Sequence, residues 1–218
     1  MIVNADDFGL SPTVNRAVVD AFQRGLVSSA TVMPNMPGFD EACALAGERG
    51  LQQHVGTHLV LTAGAPLTDR LRRSGRFCDD EGRFRGHRDR GRVLRLDREE
   101  RSALAGELRK QIEACRRAGL PVTHVDSHQH IHTEPGILRV VVAVTRELGV
   151  PYVRLARNCR PAVPRSTRVY RAVVNARLRW EGLAATRYFG DIDDYLALRN
   201  AGAASAALRD LELMTHPA

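Results

Sequence analysis

Apolar and polar positions along this chain fall into short blocks that switch between strand-like and helical spacing. Ile2 to Ala5 is a compact apolar run. Val14, Ala17, Val18, Ala21 and Phe22 then recur on one helical face, with Ser11 as a cap, Pro12 at the first helical position and a stop near Gly25. Ala30 to Met33 reads as a second strand, Phe39 to Arg49 as a helix closed by Gly50, and Val55 to Leu61 as a third strand. Asp97 and Glu100 form a capping pair ahead of a stripe of Leu104, Leu108, Ile112 and Cys115, ended by Gly119 and Pro121. Val122 to Asp126 reads as the fourth strand, and Ile137, Val140, Val141, Val144 and Leu148 mark the next helix, ended by Gly149. Tyr152 to Ala156 is a fifth strand. Arg165 to Arg179 is helical, Thr186 to Phe189 a weaker sixth strand, and helical stretches span Asp194 to Arg209. Leu211 to Met214 is the last strand.

Repeated strand–helix alternation predicts parallel strands covered by helices. About seven units in this length suit a small, distorted (β/α) barrel, complete or open, with a doubly wound sheet as the alternative. The 218 residues suit one domain. The one long interruption, residues 62–96, is rich in Gly and Arg without a sustained period, and is expected to be a lid-like insertion.

Composition narrows the classes. The chain is 44% hydrophobic, and no apolar run approaches the ~20 residues of a membrane helix. The start lacks the basic-then-apolar pattern of a leader, so a cytoplasmic protein is expected. Cys43, Cys78, Cys115 and Cys159 lie far apart, which predicts reduced structural thiols. A net charge of +7 raises nucleic-acid binding. That reading is set aside, because the basic residues are nearly all Arg without an aromatic-interleaved patch. No GxGxxG or Walker-type loop is present.

The titratable residues collect at the ends of the expected strands, where (β/α) barrels place their chemistry. Asp6-Asp7 follows the first strand, Asn35 the second, His58 lies in the third, and Arg154 in the fifth. His124-Val125-Asp126-Ser127-His128-Gln129-His130-Ile131-His132 follows the fourth and holds four of the eight histidines. Two adjacent carboxylates suit one metal ligand beside one proton acceptor, or an Asx turn. His58 alone reads as a ligand or a satisfied core residue, and the histidine run as a metal site or a surface loop. Arg154 would meet a polar substrate, balance Asp6, or form a structural ion pair.

Asn4-Ala5-Asp6-Asp7-Phe8-Gly9-Leu10-Ser11, Gly56-Thr57-His58-Leu59-Val60-Leu61-Thr62, the histidine run with Thr123, and Glu212-Leu213-Met214-Thr215-His216-Pro217 together resemble the YdjC-like carbohydrate deacetylase family, of the chitooligosaccharide deacetylase type. The resemblance implies a distorted (β/α) barrel and removal of acetyl groups from N-acetylated sugars. It implies one divalent ion held by Asp7, His58 and His128, and mixed N/O ligands make Mg or Zn the first expectation and Co or Mn the next. It implies Asp6 as general base and His216 as general acid. Asp126, His130, His132, Arg154 and Asn35 would support the site or touch substrate. The partner is then a small carbohydrate, with no nucleic acid or membrane, and a homodimer stays open. Two rivals remain: a glycosidase using Asp6 and Asp126 as its carboxylate pair, and a non-catalytic metal- and sugar-binding member.

Overall fold

The computed structural model describes residues 1–159, 163–200, 202 and 209–217. Local signals set the first half of the chain. Strand β1 (Ile2–Phe8) leads to helix α1 (Pro12–Gln23), where the Ser11 side chain accepts from Val14 N. Strand β2 (Ser29–Val32), helix α2 (Phe39–Glu48) and strand β3 (Val55–Leu59) follow. The short helices α3 (Asp69–Arg72) and α4 (His87–Arg90) lie within the long interruption. Helix α5 (Arg98–Arg117) opens with the expected capping box between Asp97 and Glu100. Strand β4 (Val125–Ser127), helix α6 (Pro135–Glu147), helix α7 (Arg165–Trp180), strand β5 (Tyr188–Gly190), helix α8 (Ile192–Asn200) and strand β6 (Leu211–Thr215) complete the described chain. The helical stretch expected up to Arg209 is seen as far as Asn200. Residues 201 and 203–208 of that expectation lie outside the described residues.

Six strands form one curled sheet in the order β4-β3-β2-β1-β6-β5, with every pairing parallel. A wholly parallel sheet is buried on both faces, and β2 and β3 are accordingly buried at every position. The fold is thus a distorted (β/α) half-barrel with six strands rather than seven. The expected fifth strand, Tyr152 to Ala156, shrinks to one bridge between Val153 and Val125. Its neighbours explain this. Val153 N donates to Leu183 O at 2.8 Å, and Asn158 N donates to Phe189 O at 3.1 Å, so the segment leaves β4 to reach β5. It spans the gap between the two ends of the sheet as an irregular link. The fourth strand starts at Val125, not Val122, because Val122 adopts φ 57° directly after Pro121 and breaks the pleat.

The long interruption is packed as well. Leu71, Phe77, Cys78, Phe84, Val93 and Leu96 join the main core. Two buried carboxylates fasten it. Glu107 of α5 accepts from Leu67 N, Thr68 N and Thr68 Oγ1 at 2.9, 2.9 and 2.7 Å. Glu134, at the start of α6, accepts from Val93 N at 2.7 Å and from both Nη atoms of Arg90 at 3.1 Å. All four cysteines are buried and free. Among the described residues, no helix is long and apolar enough to cross a membrane.

Candidate active site

The carboxyl ends of β1, β3 and β4 meet at one mouth of the sheet. Regular pleating would send Asp6 and Asp7 to opposite faces. The ladder between β1 and β2 instead skips a residue, pairing Ala5 with Ala30 and Phe8 with Val32. This bulge, with Asp7 at φ 63°, turns both adjacent carboxylates toward the same mouth. Gln129 and His130 also take positive φ, 56° each, where the chain turns just after His128. Three of the four non-glycine residues with positive φ, among those described, therefore border this mouth. Clustering of sparsely populated backbone conformations is a signature of functional sites.

His58 projects from β3 and is 1% exposed. Its Nδ1 donates to Asp126 Oδ1 at 2.7 Å, which leaves Nε2 facing Asp7 Oδ1 at 3.2 Å. Strands β3 and β4 approach closely here: a Cβ on Gly56 would lie 2.4 Å from His124 O. Thr31 Oγ1 donates to the other oxygen of Asp126 at 3.0 Å. Burial opposes charge on His58, but Asp126, Asp7 and Asp6 outweigh it and push its pKa up to about 10. This imidazole thus sits where positive charge is strongly favoured. His128 lies beside it, with ring centroids 6.1 Å apart and Nδ1 2.9 Å from Thr62 Oγ1. Burial and the neighbouring imidazoles of His58 and His216 hold His128 below the ordinary histidine pKa against the pull of Asp7. Asp7 Oδ1 is buried and has no hydrogen-bond partner. Burial raises the Asp7 pKa, but His58, His128 and His216 overcome it and keep the carboxyl below its usual range. His216, following β6, places Nε2 4.0 Å from Asp7 Oδ2 with its side chain 55% exposed.

Beneath this rim lies a buried ionic knot. Both Nη atoms of Arg154 contact Asp6 at 2.7 Å, Nη1 also meets Asp126 Oδ2 at 2.6 Å, and Nε donates to Glu212 Oε1 at 2.6 Å. Asn4 Nδ2 adds a 2.9 Å bond to Asp6 Oδ1. Burial opposes the charge on Arg154, but the three carboxylates fix it as a cation. Burial also opposes ionisation of Asp126, yet Arg154 and His58 hold its pKa far below the usual range. For Glu212 burial prevails over Arg154 and raises the pKa. A buried cation among carboxylates is stable only when such contacts replace its lost hydration.

Asp6, Asp7, His58, His128, Asp126, Arg154 and His216 are thus brought together. His132 lies deeper, with Nδ1 2.6 Å from Ser127 Oγ and Nε2 3.0 Å from Arg154 O. His130 packs edge-on against Phe189 at 5.5 Å, and its Nδ1 is buried without a partner. Among the described residues, Asn35 makes no hydrogen bond to this cluster. Its Nδ2 donates to the carbonyls of Ala63 and Ala65 at 3.0 and 3.1 Å, holding the loop that follows β3. Sequence reasoning gave no role to Glu212 and Thr62, although both lie in quoted motifs, and missed Thr31. Glu212 alone left a usable signal, as a carboxylate inside the otherwise apolar β6.

Two ligand sets can be drawn from these residues. Asp6, His58 and Asp126 offer ligand atoms within 4.8 Å of one another and are all buried. Asp6 and Asp126, however, already neutralise Arg154, and a divalent ion among them would sit against its guanidinium. Asp7, His58 and His128 form the second set, which has no guanidinium between its members. Asp7 Oδ1 has only the 3.2 Å ion-pair contact with His58 Nε2, and the Nδ1 of each histidine is held from behind by Asp126 or Thr62, as supporting partners of metal-binding imidazoles are.

A curled parallel sheet with paired aspartates and histidines at its carboxyl mouth defines an α/β half-barrel with a potential metal site. The family model described as "YdjC-like protein" matches residues 1–218, and the chain belongs to that family. A carbohydrate deacetylase of Brevibacillus brevis is 44% identical over 151 residues, covering 69% of this chain and 57% of that protein. One from Halalkalibacterium halodurans is 31% identical over 218 residues, covering 100% of this chain and 84% of its own. The matched stretches span 57% and 61% of the Brevibacillus and Geobacillus stearothermophilus relatives. A crystal structure from Enterococcus faecalis, provisionally assigned as a cellobiose-phosphate cleavage protein, superposes with a TM-score of 0.77 at 26% identity. The match covers 100% of this chain and 80% of that one.

Proposed function

We propose that this protein is a metal-dependent hydrolase that removes the N-acetyl group from an N-acetylated saccharide such as a chitooligosaccharide. The observation that carries the reading is the buried Asp7 Oδ1, without a hydrogen bond and 3.2 Å from His58 Nε2, beside His128. Asp7, His58 and His128 would hold one divalent ion, Mg or Zn first and Co or Mn next. Such an ion supplies Lewis-acid polarisation of a carbonyl and a lowered pKa for water.

The protein's own groups supply the rest. Asp6 accepts the proton of the attacking water. Its Oδ2 is bonded to Arg154 Nη1, and a carboxylate oxygen has a second lone pair. Arg154 fixes that carboxylate in place. Asp126 orients His58 through Nδ1. His216 stands on the exposed side of Asp7 and protonates the departing sugar amine. His132 supports the backbone of Arg154, His130 forms part of the wall beside Phe189, and Asn35 shapes the rim. Residues 62–96 form a lid-like insertion over one side of the site within a single domain, and the sugar lies beneath it.

A carboxylate-pair glycosidase has less support. Asp6 and Asp126 share Arg154 Nη1 and are 2% and 0% exposed, which leaves no space for a sugar between them. The test is acetate release from diacetylchitobiose after chelator treatment, with Zn, Co, Mn or Mg restored singly. Metal-dependent release is expected. Undiminished release from the stripped protein would sink the metal assignment. Metal binding without release from any acetylated sugar would leave a sugar-binding protein.

A further inference from the structure

Glu212 has no place in the reaction just described, although it is a buried carboxylate bonded to Arg154. It sits on β6 opposite Ile2 of β1, at the base of the knot rather than at its mouth. A guanidinium has five N–H donors in a rigid plane. Here the Nη edge faces Asp6 and Asp126, and the Nε edge faces Glu212. Phe189 lies under the group, its ring centroid 4.8 Å from Cζ. The aromatic ring therefore limits tilt out of the plane, but it leaves rotation within the plane free. The two Nη bonds to Asp6 restrain that rotation from one edge, and Glu212 Oε1 restrains it from the opposite edge through Nε at 2.6 Å.

We propose that Glu212 is a positioning residue, whose carboxylate fixes the Nε edge of Arg154 and so aims the Nη fork at Asp6. The inference rests on the reading of Asp6 as the proton acceptor. The aim matters because a proton acceptor misplaced by a fraction of an ångström loses much of its effect. Two conservative variants separate reach from charge. Glu212→Gln keeps an oxygen at the same distance and loses the charge. Glu212→Asp keeps the charge and withdraws it by about 1.5 Å, one carbon–carbon bond.

The experiment measures kcat, KM and metal affinity for the full chain with metal restored, and the 15N-resolved Nε–H resonance of Arg154, assigned by its absence in Arg154→Lys. Aiming predicts that Glu212→Gln keeps kcat within about 3-fold, whereas Glu212→Asp loses roughly 10- to 100-fold. KM and metal affinity stay within about 2-fold in both, and the resonance persists in Gln and is lost to exchange in Asp. A kcat for Glu212→Asp equal to or above that of Glu212→Gln would overturn the proposal, since charge rather than reach would then matter. Loss of metal affinity in proportion to kcat would overturn it too. Glu212→Met, of similar volume without a comparable acceptor, replaces the Asp variant if that one does not fold. If the unaltered protein releases no acetate from any sugar, the proposed reaction fails, and the resonance alone decides. Retention in Gln with loss in Asp upholds the aiming role, and retention in both refutes it.

Discussion

Two sets of carboxylates in this molecule lie in or against the core and differ in what they leave undone. Glu107 and Glu134, which fasten residues 62–96 to α5 and α6, have all their oxygens engaged. Glu107 takes two bonds on each oxygen, from Leu67 N and Gln111 Nε2 on one and from Thr68 N and Oγ1 on the other. The set at the carboxyl mouth is less complete. Asp7 Oδ1 lacks a hydrogen-bond partner, and its backbone is held at φ 63°. Burial alone therefore does not mark a working carboxylate. Asp7 differs in an oxygen without a hydrogen bond, on a left-handed backbone and facing imidazoles.

The contrast can be tested by substitution. The largest effect is expected at Asp6. Asp6→Asn should lower kcat by roughly 10²- to 10⁴-fold, as loss of a general base does, with metal affinity retained. Full activity in that variant would remove Asp6 from the chemistry. Next comes Glu107→Ala, which strands two buried N–H groups at roughly 1–3 kcal/mol each. It should lower the melting temperature by several degrees, at roughly 2–4 °C per kcal/mol for a chain of this size. Activity per folded molecule should hardly change. A large loss of turnover without loss of stability there would erase the distinction between the two sets. Asp126→Asn should weaken metal binding roughly 10- to 100-fold by loosening His58, read by calorimetric titration.

The smallest effect concerns acid. Burial, against the pull of Asp126, depresses the pKa of His124 to about 4. Burial and the neighbouring His130 depress that of His132 to about 3. Both imidazoles are neutral when folded and titrate near 6.5 when unfolded. Their contribution is present above about pH 6.5 and declines as pH falls toward 4, because the unfolded chain then binds protons the folded one does not. Urea midpoints measured from pH 7 to 4.5 should fall accordingly, and a flat profile would contradict the assigned neutrality.

Much of the frame was legible because its signals are local. The Ser11 and Asp97 caps, the stripe from Leu104 to Cys115 and the strand at Val55 declare themselves within a few residues. Non-local features did not. Whether Tyr152 to Ala156 becomes a strand depends on Leu183 and Phe189, which lie tens of residues away. The site was legible as a set of residue types, through Asp6-Asp7, His58 and the histidine run, but not as an arrangement. Nothing in the letters announces the bulge at Asp6-Asp7, the left-handed turn at Gln129-His130 or the contact between Arg154 and Glu212. Those arise when separate strands meet.

The irregular link from Val153 to Asn158 has a mechanical consequence. Elsewhere around the sheet, neighbouring strands are laced by ladders of several paired residues. Here Val125 makes only two backbone bonds with the link, to Tyr152 O and from Arg154 N. This is the seam of the hoop, the place where amide protons should exchange with solvent ahead of the strands. Arg154 sits on that seam. Each opening would carry the guanidinium away from Asp6, so a slow breathing motion of the scaffold would interrupt the site without any movement of the rim.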